Sequence, residues 1–177
     1  MKLLKVIQRK EGLHLDGRTS EREAVRGIIL DPPRLLMVHS THNGDYKFPG
    51  GGVLGGESHE EALRREVLEE CGATICGSVQ PFGKVIEYDL PKEPEYYDVF
   101  KMTSYYYLCQ VEGALGPQSL EPYERDLGFV PRWVEIEHAI QANTALLRDA
   151  PRRAAWWAAR ELFVLGQIKE RYLPPPY

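Results

Sequence analysis

The sequence has few of the residues that build disulfide frameworks or zinc sites, and it lacks the long apolar runs of membrane proteins. Its three cysteines, Cys71, Cys76 and Cys109, are odd in number and show no CxxC spacing. This pattern argues against a disulfide framework or a structural zinc site and favours a reducing compartment. The first ten residues lack the apolar stretch of a signal peptide, and no apolar run approaches the ~20 residues that span a bilayer. We therefore expect a cytoplasmic protein with no membrane association.

An excess of basic residues is also missing. The chain has 22 lysines and arginines against 26 aspartates and glutamates, which gives a formal net charge of −4, and it contains no basic run. This balance argues against nucleic-acid wrapping and leaves room for binding a single nucleotide. With 177 residues and 43% hydrophobic content, the chain is expected to form one globular domain over residues 1–177.

Residues 51–73 contain the most informative pattern of the chain. Ser58 and Glu61 have the spacing of a capping box, in which each side chain satisfies a backbone donor at the start of a helix. Residues 59–71 contain no glycine or proline, and Gly72 stands where a left-handed C-terminal cap is expected. The pattern predicts a helix over residues 59–71.

On that helix, Glu66 and Glu70 lie one turn apart, at about 40° from each other, and Glu69 lies about 60° from Glu66. Three carboxylates so close together disfavour one another's charge, and a hard divalent cation such as Mg2+ relieves that conflict. The alternative is a solvated helix face with ordinary i,i+4 ion pairs, Glu60 with Arg64 and Glu61 with Arg65. A solvated helix face explains neither the spacing of Gly51 and Glu57 before the helix nor the crowding of the three acids on it.

The segment GGVLGGESHEEALRREVLEECGA resembles the Nudix box, G-x5-E-x7-R-E-U-x-E-E-x-G-U, where U is a bulky apolar residue. Every fixed position matches, and only the last U is smaller than usual, as Ala73. The resemblance covers 23 of the 177 residues and extends to the preceding YKFPGG. It implies an α/β/α sandwich with a mixed β-sheet flanked by helices. It also implies hydrolysis, with Mg2+ or Mn2+, of a nucleoside diphosphate linked to another group.

Matching positions assign roles to individual residues. The resemblance implies that Glu66, Glu69 and Glu70 are metal ligands, with Glu66 also helping a water molecule to attack. The backbone carbonyl of Gly50 corresponds to a frequent additional ligand. A further acid is expected from a distant loop, with Glu124 as first choice and Glu121 as second. From the residue types alone, we expect Glu57 and Arg65 to pair and to orient the glycine loop on the helix, since arginine can donate two parallel hydrogen bonds to a carboxylate.

The sequence says less about the substrate. Gly50 and Gly51 allow a phosphate to approach the backbone, and Tyr46 and Phe82 are candidates for stacking on a base. Residues that mark some subfamilies, about sixteen or seventeen positions after the box, are absent. An oxidised or noncanonical nucleoside triphosphate and a nucleotide sugar therefore both stay open. A non-catalytic nucleotide sensor is the alternative function, and action on RNA caps is disfavoured because no basic channel is apparent.

Strands are expected at residues 24–30, 34–38, 46–48, 77–89, 102–111 and 129–134. A helix is expected to begin near Glu135, and a last helix to run over about 152–171. One face of that last helix is apolar, with Ala155, Ala158, Ala159, Leu162 and Leu165. The face either packs on the sheet of its own chain or forms a homodimer contact.

Overall fold

The computed structural model describes residues 1–149 and 156–173, which form seven strands and four helices. The strands are β1 (Leu3–Gln8), β2 (Thr19–Asp31), β3 (Arg34–Ser40), β4 (Tyr46–Lys47), β5 (Thr74–Asp89), β6 (Val99–Glu112) and β7 (Phe129–Glu135). The helices are α1 (His59–Cys71), α2 (Pro122–Asp126), α3 (Ile136–Asp149) and α4 (Trp156–Tyr172).

All seven strands belong to one mixed sheet. Its order is β1-β5-β6-β2-β3-β4, and β7 pairs with β3 as well. The pairs β1 with β5 and β2 with β6 are parallel, whereas the other pairs are antiparallel. β2 and β3 pair only near the turn that joins them, so the strands diverge beyond it. This divergence leaves β2 free to pair with the glycine loop.

Two apolar clusters cover the two faces of the sheet. One contains α1 residues, including Leu63 and Val67, which are fully buried against β2 and β3. The other contains α3 and α4 residues, including Ile136, Leu165 and Ile168, also fully buried. Helices on both faces of a mixed sheet make the α/β/α sandwich that the sequence predicted.

Helix α1 begins and ends where its caps were expected. The Ser58 amide donates to the Glu61 carboxylate at 2.8 Å, and the Glu61 amide donates to the Ser58 hydroxyl at 3.2 Å. At the other end Gly72 has φ 61°, the left-handed conformation that glycine adopts without strain. Glu60 pairs with Arg64 as expected, whereas Glu61 serves the cap and does not pair with Arg65 among the described contacts.

Several elements differ from the sequence-based expectations. Strand β1 was not expected, and the loop before β7 contains the short helix α2. The expected start of the last helix at 152–155, including Ala155, and the tail at 174–176 lie outside the described residues. Ala158 and Leu165 of α4 are buried within the chain itself. No helix in the described ranges has the length and apolar character needed to cross a membrane.

Candidate active site

A cleft of about 350 Å³ lies between the glycine loop, α1, α2 and the first turns of α4. Five carboxylates line it: Glu66, Glu69, Glu70, Glu121 and Glu124. Four cationic side chains line it as well: Arg22, Arg26, Lys47 and Arg160. The cleft therefore brings together acidic groups from two helices and basic groups from two strands and α4.

The glycine loop runs along β2 as if it were another strand. Gly27 donates to the carbonyl of Pro49 at 2.8 Å, and Val25 donates to the carbonyl of Gly51 at 2.9 Å. Gly50 has φ 137°, and a side chain there would collide with the backbone of Val25. A side chain at Gly51 would occupy the position of the Glu66 carboxylate. Only glycine permits this packing of the loop between β2 and α1.

Arg65 joins the loop to the acidic face of α1. Its guanidinium donates to both carboxylate oxygens of Glu57, at 2.8 and 3.0 Å, and to the carbonyl of Gly52 at 3.1 Å. It also donates to Glu66 at 2.8 Å and to Glu69 at 3.2 Å. The hydrogen bonds from Arg65 lower the pKa of Glu57 to about 2 and keep that carboxylate charged. Arg65 is thus positioned to orient two of the proposed metal ligands.

Glu66 and Glu70 point into the same cleft and differ in burial. Burial raises the pKa of Glu66, and Arg65 opposes that rise. Glu70 is 5% exposed, and burial raises the pKa of its carboxyl group to about 8. Its carboxylate accepts a hydrogen bond of 2.6 Å from the amide of Gly50. The backbone carbonyl of Glu70 accepts from Gln118, which ties the α1 end to the loop before α2.

Helix α2 carries Glu124, the first-choice candidate for the additional acid, which the sequence located only to a loop. Glu124 is 4% exposed and lines the cleft. Its carboxylate accepts hydrogen bonds from the Glu121 amide at 2.8 Å and from the Tyr123 hydroxyl at 2.9 Å. Glu121 lines the cleft too. Both candidates lie beside the α1 acids, and Glu124 is the more buried of the two.

Sequence reasoning missed the basic side of the cleft. Lys47 lies between the rings of Phe129 and Trp157, at 4.5 and 4.6 Å from their centroids, and burial lowers the pKa of its ammonium group. Arg160 is neutralised by Glu87 at 2.7 Å and Glu161 at 2.6 Å. Arg22 and Arg26, on β2, form no ion pair with any residue that the structure describes.

Two proposed substrate contacts lie away from the cleft. Tyr46 is 8% exposed and packs against His39 and His138. Phe82 packs against the α4 side of the sheet, with the Arg171 guanidinium 5.8 Å from its ring centroid. Neither side chain is among those that line the cleft. The aromatic groups that do line it are Phe48, Tyr123, Phe129 and Trp157.

The donor set of the cleft suits a hard divalent cation. Carboxylate and carbonyl oxygens from Glu66, Glu70, Glu124 and the glycine loop are the ligands that Mg2+ and Mn2+ prefer. In the described residues, no three acidic, histidine or cysteine side chains already converge on one point. Glu66 and Glu70 are held by Arg65 and by the Gly50 amide, and the Gly50 carbonyl accepts from Arg26. These hydrogen bonds therefore occupy some of the lone pairs that a cation would use.

Sequence comparison shows what the chain is similar to. The family model described as NUDIX domain matches residues 20–157. A protein of a Sulfurovum species named RNA pyrophosphohydrolase is 31% identical over 150 residues, which is 78% of this chain and 93% of that relative. A protein of a Nitratiruptor species with the same name is 34% identical over 90 residues, 49% of this chain. That match spans only 58% of the Nitratiruptor protein.

Solved structures show a similar fold. The MutT protein from Bacillus halodurans superposes with a TM-score of 0.54 at 20% identity, covering 68% of this chain and 72% of that one. A NUDIX hydrolase from Nitrosomonas europaea superposes with a TM-score of 0.53 at 21% identity, covering 82% and 90%. At these identities the likeness supports the architecture and carries no argument about the substrate.

Proposed function

This chain belongs to the Nudix family, and we propose that it is a Mg2+- or Mn2+-dependent pyrophosphohydrolase that cleaves a nucleoside diphosphate linked to a second group. The observation that carries the proposal is the convergence of Glu66, Glu70 and Glu124 on one cleft whose other side is basic. When bound, a divalent cation neutralises phosphoryl oxygens and makes water more acidic. Glu66, Glu69, Glu70, Glu124 and the Gly50 carbonyl are the groups proposed to hold it.

The side chains of α1 have separate roles in this proposal. Glu66 accepts the proton of the attacking water, because it lies in the cleft and burial already raises the pKa of its carboxyl group. Arg65 fixes the orientation of Glu66 and Glu69 through its contacts at 2.8 and 3.2 Å. Glu57 in turn holds Arg65 with two hydrogen bonds. Arg65 and Glu57 thus act through position and do not exchange protons.

The basic side of the cleft favours an extended phosphate chain. Arg22, Arg26 and Lys47 line the cleft, and no carboxylate among the described residues forms an ion pair with them, so their positive charges favour a phosphoryl group in the cleft. An oxidised or noncanonical nucleoside triphosphate fits this arrangement, and a nucleotide sugar presents fewer charges to it. Gly50 and Gly51 line the cleft as well, and without side chains they let a phosphate approach the loop.

A second candidate is the 5′-triphosphate end of an RNA. The Sulfurovum relative, 31% identical over most of its length, is named RNA pyrophosphohydrolase. The overall composition showed no basic channel and therefore disfavoured action on RNA ends. The basic side chains that line the cleft, Arg22, Arg26 and Lys47, make such a substrate more favourable. The non-catalytic sensor is the less favoured alternative, because all the acids of the box are present and Glu66, Glu69 and Glu70 line the same cleft.

A substrate panel with Mg2+ tests the proposal. It contains the four standard nucleoside triphosphates, 8-oxo-dGTP, a nucleotide sugar and a 5′-triphosphorylated RNA oligonucleotide, with release of phosphate, pyrophosphate and nucleotide measured separately. We expect turnover of at least one triphosphate, and Glu66→Gln should lower kcat by about 10² to 10⁴-fold. Glu60→Gln is the matched control, since Glu60 is on the same helix and is 54% exposed. Binding of a nucleotide without turnover of any compound would favour the sensor.

A further inference from the structure

Arg26 lines the cleft and contacts the glycine loop. Its Nη1 donates to the carbonyl oxygen of Gly50, and its Nε is buried without a hydrogen-bond partner among the described residues. Burial raises the pKa of both Glu66 and Glu70, and the charge of Arg26 opposes that rise. Arg26 lines the same cleft as Glu66 and Glu70, so its guanidinium places a positive charge beside these two carboxylates.

The Gly50 peptide is held from both sides. Its amide donates to Glu70 at 2.6 Å, and its carbonyl accepts from Arg26. The neighbouring peptides are hydrogen-bonded to β2 through Gly27 and Val25, so the backbone cannot turn the carbonyl elsewhere without breaking that pairing. The carbonyl oxygen has a second lone pair, and a cation that bound there would lie directly beside the arginine guanidinium.

A divalent cation and a guanidinium on the same carbonyl oxygen repel each other strongly, because like charges are then at very short range. We propose that Arg26 is an exchangeable counter-charge: it occupies the Gly50 carbonyl in the metal-free protein and leaves it when Mg2+ or Mn2+ binds. The released guanidinium, which has no carboxylate partner among the described residues, then binds a phosphoryl oxygen of the substrate. This inference rests on the proposed function, since it assumes the metal site on Glu66 and Glu70.

Metal affinity in the absence of substrate tests the exchange directly. Mn2+ binding is measured by electron paramagnetic resonance and calorimetry for the wild type, Arg26→Met and Arg22→Met. Arg22 is the matched control, because it is on the same strand and lines the same cleft but no described contact joins it to the Gly50 carbonyl. Both variants remove one positive charge from the cleft. They differ in the contact with the Gly50 carbonyl and in the charge that Arg26 places near Glu66 and Glu70, which together make the proposed counter-charge.

We expect Arg26→Met to bind Mn2+ at least about tenfold more tightly than Arg22→Met, a difference of ~1.4 kcal/mol. The same Arg26→Met change should raise KM for the triphosphate about tenfold, so that metal affinity and substrate affinity change in opposite directions. Equal Mn2+ affinities for the two variants, or weaker binding by Arg26→Met, would overturn the exchange.

A measurement on the wild type covers the case in which Arg26→Met does not fold. The Arg26 side-chain Nε–Hε resonance should shift when Mg2+ is added to the 15N-labelled protein, and the Arg160 resonance should shift less because its ion pairs remain. An unchanged Arg26 resonance at saturating Mg2+ overturns the proposal. A wild type that hydrolyses substrate and binds Mn2+ but shows no exchange refutes this inference alone, whereas a wild type that binds no Mn2+ refutes the proposed function too.

Discussion

Glu70→Gln should stabilise the metal-free protein at alkaline pH while removing its response to metal. Glu70 is 5% exposed, and burial raises the pKa of its carboxyl group from 4.5 to about 8. Because the folded-state pKa lies above the unfolded one, the protonated group stabilises the fold below pH 4.5. That stability is lost progressively as the pH rises towards 8.

The magnitude follows from the two pKa values. At ~1.4 kcal/mol for each pH unit, a rise from 4.5 to about 8 corresponds to at most ~5 kcal/mol of lost stability at pH 8 and above. A glutamine carries no charge at any pH and accepts the Gly50 amide hydrogen bond as well. We expect Glu70→Gln to match the wild type near pH 4.5 and to exceed it by ~2–5 kcal/mol at pH 8.

Urea unfolding at both pH values, in the presence of a chelator, measures this difference. Glu69→Gln is the control, because Glu69 is adjacent and 40% exposed and should change the free energy of unfolding by less than ~0.5 kcal/mol. Addition of Mg2+ should reverse the order, since ligand binding stabilises only the protein that binds it. A Glu70→Gln protein that is less stable than the wild type at pH 8 without metal, or a difference that does not change with pH, would refute the reasoning.

Two other predictions concern ion pairs of arginine: that of Arg65 with Glu57, and those of Arg9 and Arg160 with Glu87. Arg65→Lys keeps the positive charge but loses the two parallel hydrogen bonds to the Glu57 carboxylate, so kcat should fall about 10 to 100-fold. The control is Arg64→Lys, whose kcat should stay near that of the wild type. Equal losses of kcat in the two variants would contradict a positioning role for Arg65. Burial raises the pKa of Glu87, but the nearby charges of Arg160 and Arg9 lower it by more, so the pKa of Glu87 lies below its usual value. Glu87→Gln should therefore cost ~3–5 kcal/mol of stability at pH 7, and this deficit should shrink in unfolding curves as the pH falls through the folded-state pKa of Glu87; a deficit independent of pH would contradict it.

Local patterns predicted α1, its caps and the contact between Glu57 and Arg65. The capping box of Ser58 and Glu61, the C-terminal Gly72 and the pairing of Glu57 with Arg65 all depend on residues less than ten positions apart. Helical spacing then fixes which acids share a face. The same reasoning could not reveal that Glu124 is the more buried of the two candidate acids, because the loop path depends on contacts such as that of Gln118 with the Glu70 carbonyl.

The basic side of the cleft depends on the register of strands that are distant in sequence. Ala24, Arg26 and Ile28 alternate on one face of β2, so an arginine between two buried apolar residues is the signal that the sequence analysis overlooked. Lys47 and Arg160 gave no such signal, since their approach to the cleft requires β4 and α4 to be placed first.

The aromatic candidates show how register limits such inference. Tyr46 and Lys47 are adjacent on β4, so their side chains point to opposite sides, and only Lys47 lines the cleft. Phe82 lies within an irregularity in the pairing of β5 with β6, between Pro81 and Gly83. A shift of one residue moves a side chain to the other face of a sheet, and the sequence alone does not locate such shifts.

A crystal structure of the protein with Mn2+, with the ions located by anomalous scattering, tests the central claim most directly. We expect an ion in contact with carboxylate oxygens of both Glu66 and Glu70, with the Gly50 carbonyl bound to the metal in place of Arg26. An ion elsewhere on the protein, with Glu66 still on Arg65 and Glu70 still on the Gly50 amide at saturating Mn2+, would contradict the account.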